Sequence, residues 1–198
     1  MEFLLLLLLG IVVLIAIVSN KKRPKKFGTT PTSMKTENYI PREQIRTHET
    51  SNRGKDYVII NGVKWETKNL IVNGKEHFTY DEAMVAVRGQ KRRLPSVDEI
   101  VESLFDKDKV SSKWTAENGM FGCRFTDNNS KASLFFPAVG ARMYGNGDIH
   151  YMGETGSYWS NETKREIYAN YLYLDDSGSI LIHIDNRKAG FCIRCVVD

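Results

Sequence analysis

The sequence predicts an α+β fold in which two short helices precede a twisted antiparallel sheet, the whole set behind an apolar amino-terminal helix. Three observations carry this reading. Residues 3–18 form an unbroken apolar run. Two segments between Thr79 and Asp106 combine helix-capping signals with apolar residues at helical spacing. After Lys113 the chain breaks into short apolar stretches separated by Gly, Asn and Asp, the rhythm of strands and turns. Helices followed by a run of strands indicate an α+β arrangement rather than an alternating α/β one.

At 198 residues there is room for one ordinary domain and an appendage. A composition of 41% hydrophobic and 26% charged residues fits a globular domain rather than a disordered chain. The net charge of +4 is unevenly placed: ten Lys and Arg against five Asp and Glu over residues 1–56, eighteen against nineteen over residues 57–198. A reader of nucleic acid concentrates basic residues on its folded face. The globular part here is close to neutral, so nucleic acid is not an expected partner.

The run FLLLLLLGIVVLIAIV is followed at once by KKRPKK. At about 1.5 Å per residue a helix over residues 1–20 would be about 30 Å long, enough to cross a hydrocarbon core. A cleaved signal peptide needs basic residues before the apolar run and a small-x-small site after it, and neither is present. The expectation is a single-pass membrane anchor over 1–20. Lys21, Lys22, Arg23, Lys25 and Lys26 bias their side of the membrane to the cytoplasm; the same cluster suits anionic headgroups. Residues 21–56 read as a basic juxtamembrane segment and polar tether, locally extended by Pro31 and Pro41. The globular domain is expected over 57–198.

Within that domain, YVIINGVKWETKNL places two β-favouring runs around Asn61-Gly62, a strong type I′ hairpin signal. TYDEAMVAVRGQ offers Thr79 as N-cap, Glu82 at the capping-box position and Gly89 as C-cap. LPSVDEIVESLFDKD repeats the device with Ser96 and Glu99, and Val97, Ile100, Val101 and Leu104 recur at helical spacing. The strands expected afterwards are GCRFTD, ASLFFPAVGAR, GDIHYMG, SYWSNE, IYANYLYLDD, SILIHID and GFCIRCVVD.

Several short motifs occur in order: Gly62-x-x-Trp65 with Asn69-Leu70, Tyr80-x-Glu82-Ala83, Arg93-Leu94-Pro95-Ser96, Phe136-Pro137-Ala138-x-Gly140-x-Arg142, Gly156-x-Tyr158-Trp159-Ser160, Ala169-x-Tyr171-Leu172 and Gly190-Phe191-x-x-Arg194-Cys195-Val196. Together they resemble the Fibrobacter succinogenes major paralogous domain, a bacterial module with a C-type-lectin-like fold, from about Tyr57 to the carboxyl end. That fold is similar to those of retroelement-diversified variable proteins and of formylglycine-generating enzymes, so it does not by itself decide function. The resemblance implies structural roles for Trp65, Arg93, Pro95, Pro137, Gly140, Arg142, Gly156, Trp159, Gly190 and Arg194.

Candidate chemistry is sparse. In a strand, side chains alternate faces, so Cys192 and Cys195 should point to opposite sides and neither form a comfortable disulfide nor chelate one metal. A bridge from Cys123 to Cys192 or Cys195 requires an oxidising compartment. His48, His77, His150 and His183 show no ligand spacing. The acidic signature of calcium-dependent lectins is missing, and DNN at 127–129 and DDSG at 175–178 read as turns. No metal and no cofactor are expected.

A recognition surface remains. Tyr presents a large rigid contact at low entropic cost and Asn adds adaptable hydrogen bonds, which selects Tyr144, Asn146, His150, Tyr151, Tyr171, Tyr173, Asn186 and Arg187 as candidate ligand-binding residues. In YANYLYL the alternation buries Leu172 and Leu174 and turns Ala169, Tyr171 and Tyr173 to the other face, where these tyrosines either bind a ligand or complete a second core. The expected function is a membrane-tethered, non-catalytic module of bacterial or phage origin that binds a protein or glycan, in the manner of an adhesin. The alternatives are a structural subunit of an envelope or virion complex and, behind it, a formylglycine-generating-type oxidoreductase using Cys192 and Cys195.

Overall fold

The structure is a computed structural model that describes residues 56–198. The expected anchor over 1–20, and all of the expected tether except Asp56, lie outside the described residues. Among the described residues no helix is long and apolar enough to cross a membrane. They form a mostly β domain with two helices, an α+β fold.

Strands β1 (Tyr57–Ile60) and β2 (Val63–Glu66) make the first hairpin, turned by Asn61 at φ 41° and Gly62 at φ 89°. Two consecutive positive φ values define a type I′ turn, and Asn-Gly supplies them with little strain. Helices α1 (Tyr80–Val87) and α2 (Val97–Leu104) each start with a complete capping box. The Thr79 and Ser96 hydroxyls accept from the amides of Glu82 and Glu99, whose carboxylates accept in return from the cap amides. At the other end of α1, Arg88 is the C-cap and Gly89, at φ 71°, follows it one position later than expected. Eight-residue helices are too short to stand alone; α1 buries Tyr80, Ala83 and Val87, and α2 buries Ile100, Ser103 and Leu104. Thr79→Ala and Ser96→Ala should each lower stability by about 1 kcal/mol in urea denaturation.

The Glu82 carboxyl is pushed down from 4.5 to about 2, first by its hydrogen bond from Lys75. A folded-state value below the unfolded one means that the contribution of this group is complete above pH 4.5 and fades as pH falls toward about 2. Melting temperature plotted against pH should therefore decline more gently over that window in Glu82→Gln than in the wild type.

Strand β3 (Arg92–Arg93) lies between the helices, and β4 (Val110–Glu117) through β12 (Val196–Val197) follow α2. Between them run β5 (Met120–Asp127), β6 (Ser133–Pro137), β7 (Val139–Arg142), β8 (Ile149–Met152), β9 (Thr155–Lys164), β10 (Tyr168–Asp175) and β11 (Ile180–Asn186). The single antiparallel sheet expected from the sequence is replaced by three sheets, ordered β1-β2-β12-β3, β11-β10-β9-β7-β8 and β4-β5-β6. Gly140 with Gly156, between β7 and β9, and the bridge of Tyr158 to Cys192 are parallel contacts.

Two expected strands are also corrected. ASLFFPAVGAR divides at Ala138, whose amide donates to the Phe121 carbonyl and whose carbonyl accepts from Gly153, so β6 and β7 enter different sheets. GFCIRCVVD yields only Val196–Val197 as a strand. Its earlier residues bond to several elements in turn, with single bridges from Gly190 to Arg142, Phe191 to Phe78 and Cys192 to Tyr158. Strand β4 is absent from the expectation because VSSKWTAE lacks apolar alternation, yet it pairs with β5 along its full length through Asn118 at φ 50° and Gly119 at φ 78°, a second Asn-Gly turn.

Strands β9 and β10 separate two cores. Tyr158, Leu172 and Leu174 face a core with Trp65, Ile100, Phe125 and Phe136, while Trp159 and Ala169 face another with Tyr80, Ala83, Leu94 and Phe191. The carboxyl-terminal segment threads between them, giving Cys192 and Val196 to the first and Ile193 and Cys195 to the second.

Candidate recognition hairpin

The hairpin made by β7 and β8 is anchored at its base and open at its tip. Arg142 exchanges two backbone hydrogen bonds with Gly190, both 2.8 Å. A Cβ on Gly190 would stand 2.6 Å from the Arg142 Nε, so only glycine lets the two segments close here. Beyond Arg142 the loop is tied by its own polar groups. Asn146 Nδ2 donates to the Asp148 carboxylate at 2.7 Å, the Asp148 amide donates to Asn146 Oδ1 at 3.1 Å, and the Met143 amide donates to the Asp148 carbonyl at 2.9 Å. Asn146 therefore shapes the loop, and Tyr144 is left at the tip with the Lys188 ammonium 5.6 Å from its ring centroid.

All four residues of β8 are exposed. Ile149, Tyr151 and Met152, with Met143 and Tyr144 in the loop, are 42% to 59% accessible, so five large apolar side chains of one ten-residue segment meet solvent. Scattered exposed apolar residues need no explanation, but five within ten residues of one hairpin make this segment the candidate for an interaction surface. Tyr151 also adopts φ 60°, an outlier for a bulky residue, held by the Glu154 amide on its carbonyl and by the Gly153 amide on Ala138. The bend re-aims the Tyr151 ring beside His150, at 6.1 Å between centroids.

The structure divides the eight sequence-selected candidates. Tyr144, Asn146, His150 and Tyr151 share the hairpin. Tyr171 is half-buried in the second core, its ring 4.4 Å from Phe191 and 6.1 Å from Trp159, and burial pushes its phenol up to about 12. It belongs to the packing. Tyr173 is partly covered on the same sheet face, edge-on to His183 at 5.7 Å, with its phenol raised by burial first and by Asp175 next. Asn186 accepts from the Lys188 amide at 3.0 Å and so closes a turn. Arg187 pairs with Asp81, donates to the Glu166 carbonyl at 3.0 Å and lies 5.1 Å over the Tyr80 ring. Both serve the scaffold. Met143, Ile149 and Met152 join the exposed set without a signal in the sequence, because only their exposure in the fold distinguishes them from core residues.

The residues assigned structural roles occupy tight positions. Trp65 Nε1 donates to the Ser103 hydroxyl at 3.1 Å, and Trp159 Nε1 to the Phe78 carbonyl at 2.8 Å. Arg93 holds Glu99 through two 2.7 Å bonds, the Pro95 carbonyl accepts from Asn161 at 2.8 Å, and the Pro137 carbonyl accepts from the Tyr158 hydroxyl. A Cβ on Gly156 would stand 3.0 Å from the Tyr158 ring.

No disulfide joins Cys123, Cys192 and Cys195, which are buried thiols. Burial pushes Cys123 and Cys195 up to about 12, the opposite of the shift that activates a nucleophile. Cys192 and Cys195 face different cores, as alternation predicted, although the segment is not a continuous strand. Cys195→Ser should lower stability by about 1–2 kcal/mol through loss of packing and burial of a hydroxyl, measured by denaturant unfolding. Two open depressions of about 610 and 340 Å³, one beside Glu102 and Asp106 and one beside Glu66 and Arg92, are lined by neither Cys nor His. Among the described residues no group of three His, Cys, Asp or Glu is arranged to hold a metal.

Fold and site together define a mostly β α+β domain that presents an apolar, aromatic edge hairpin. No protein-family model, no curated protein and no solved structure matches the chain.

Proposed function

We propose that this chain is a membrane-tethered, non-catalytic recognition module of C-type-lectin-like fold, with residues 1–20 as its anchor and the β7–β8 hairpin as its contact with a protein partner. The observation that carries the reading is the ten-residue segment Met143–Met152, in which Ile149, Tyr151 and Met152 on the edge strand β8 and Met143 and Tyr144 in the loop before it are all exposed. Aromatic and Met side chains are what the centres of protein interfaces are enriched in. The internally bonded loop and the paired base hold the hairpin in one shape, so little ordering entropy opposes association. A protein fits better than a glycan because three of the five exposed side chains are Met or Ile, which offer neither a flat ring for a sugar face nor a hydrogen bond for its hydroxyls.

The test is a pair of variants of the full chain. Tyr144→Ala with Tyr151→Ala should keep the wild-type melting temperature within a few degrees and weaken partner binding at least about tenfold, at roughly 2 kcal/mol for an interfacial aromatic anchor. Tyr171→Ala should instead destabilise the fold by about 3 kcal/mol while leaving the binding of the folded fraction unchanged. Intact binding by the folded double variant would remove the hairpin from the account.

A further inference from the structure

The opposite edge of the five-stranded sheet is β11, and its backbone is poised for pairing. The Arg187 amide donates to the Ile167 carbonyl at 2.9 Å beyond one end of the β10–β11 ladder, and the Asp175 amide to the Ser179 carbonyl at 3.2 Å beyond the other. The register between them runs from Tyr168 opposite Asn186 to Leu174 opposite Ile180 without a shift. The alternation of an antiparallel ladder then turns the N–H and C=O groups of Leu181, His183 and Asp185 toward β10 and those of Ile180, Ile182 and Ile184 outward. Among the described residues no strand lies along that outward side.

Sheet edges are normally guarded by shortness, a Lys, a Pro or a bulge. Strand β8 has four residues and the bend at Tyr151, β1 has four residues, and β4 carries the exposed Lys113. Strand β11 has seven residues, ILIHIDN, with no Lys, Pro, Gly or bulge, and exposes Leu181 at 45% and Ile184 at 52%.

The sequence Ile180-Leu181-Ile182-His183-Ile184 is close to a palindrome about Ile182 in both side chain and backbone polarity. We propose that β11 pairs antiparallel with β11 of a second copy of this chain, about a two-fold axis through Ile182. Ile182 then faces its own symmetry mate, Ile180 faces Ile184, and Leu181 faces His183. All three outward residues of each copy meet outward residues of the other, giving about six backbone hydrogen bonds. No like charges oppose each other, since Asp185 falls opposite Ser179. A one-residue slip sets outward groups against inward ones. A two-residue slip toward the carboxyl end opposes Asn186, whose carbonyl already accepts from the Ala189 amide at 2.8 Å. The pairing merges two five-stranded sheets into one of ten strands and sets the two β8 hairpins at its ends, about 45 Å apart at roughly 4.8 Å per strand. Bivalent capture of a partner follows and rests on the hairpin reading; the pairing itself does not.

The experiment is disulfide trapping of the full chain in isolated membranes under a mild oxidant. Leu181 and His183 are exposed and would oppose each other across the axis at a separation disulfides span. Membranes containing Leu181→Cys and His183→Cys chains together should yield linked dimer at least about tenfold above membranes containing either alone. The buried Cys123, Cys192 and Cys195 keep the wild-type background low. A mixture giving no more than the single variants overturns the proposal. Ile182→Pro supplies an independent check, because it removes an outward donor and spares the bonds to β10. The detergent-solubilised chain should change from dimer to monomer while keeping the circular dichroism of the folded domain, with a lower melting temperature because Ile182 also packs against the first core, and a persistent Ile182→Pro dimer contradicts the assigned edge.

Discussion

Arg194→Ala is expected to lower the stability of the domain by about 3 kcal/mol, through lost hydrogen bonds and the cavity left by a buried side chain, a large fraction of what an ordinary domain has. The guanidinium is buried between the two cores and has no directly bonded carboxylate. Its Nε and Nη2 donate to Asn69 Oδ1 at 3.0 and 2.7 Å, and its Nη1 reaches the carbonyls of Phe135, Thr67 and Glu66 at 3.0, 3.3 and 3.4 Å. Asn69 Nδ2 in turn donates to Glu76 Oε1 at 3.1 Å, so the amide relays the cation toward a buried carboxylate. The guanidinium also lies 4.8 Å from the Phe136 ring centroid. Truncation leaves four acceptors without this donor, on half-buried Asn69, Phe135 and Glu66 and on exposed Thr67, and an acceptor that water cannot then reach costs about 1–3 kcal/mol. Arg194→Lys should recover only a minority of the loss, because a single ammonium cannot span acceptors that the planar fork reaches together. Denaturant unfolding of the full chain in detergent, followed by tryptophan fluorescence, measures both variants. A loss under about 1 kcal/mol for Arg194→Ala would show that the network contributes little.

Gly140→Ala is expected to cost about 2–4 kcal/mol, combining close contact with left-handed strain, and to act mainly on the β7–β8 hairpin. Gly140 sits at φ 71°, and a Cβ there would lie 2.2 Å from the His150 carbonyl oxygen and 3.0 Å from the Met152 amide. Both contacts are backbone of β8, so relief requires β8 to move away from β7. Partner binding should fall at least about tenfold, and hydrogen exchange of the β8 amides should accelerate while those of β9 and β10 stay protected. Gly147→Ala is the matched control. It has a similar φ of 79° but nothing within 4 Å of the added carbon, so only about 1 kcal/mol of backbone strain is expected. Equal effects from the two substitutions would exclude crowding of β8 as the cause.

Local signals decided what the sequence made legible. Asn61-Gly62 and the capping boxes at Thr79 and Ser96 act within four residues, where the same atoms settle structure whatever the surroundings, and they stand as read. The later strands were recognisable as strands, but their division among three sheets was not, because it depends on which distant backbone claims each N–H. Ala138 shows this most clearly: its amide bonds to β5 and its carbonyl to Gly153, and nothing in FFPAVG announces the change of sheet. Which of the selected tyrosines are exposed was not legible either, for the same reason. Tyr144 and Tyr151 lie on an edge that the chain leaves open, whereas Tyr171, identical in kind, faces Phe191 and Trp159 once the carboxyl-terminal segment threads beside it. Of the two readings open for the tyrosines of β10, the second core accounts for Tyr171.

Exposure on the hairpin is the physical basis of the functional proposal, so the most direct measurement asks what that exposure touches. A photo-activated cross-linking residue would be placed at Tyr144, at Tyr151 and at Val85, an equally exposed position on α1, in the full chain within the cells that express it. One discrete protein adduct shared by positions 144 and 151, absent at 85 and competed away by excess unmodified chain, is the expected result. The same adducts at all three positions, or none at 144 and 151, would contradict the functional proposal.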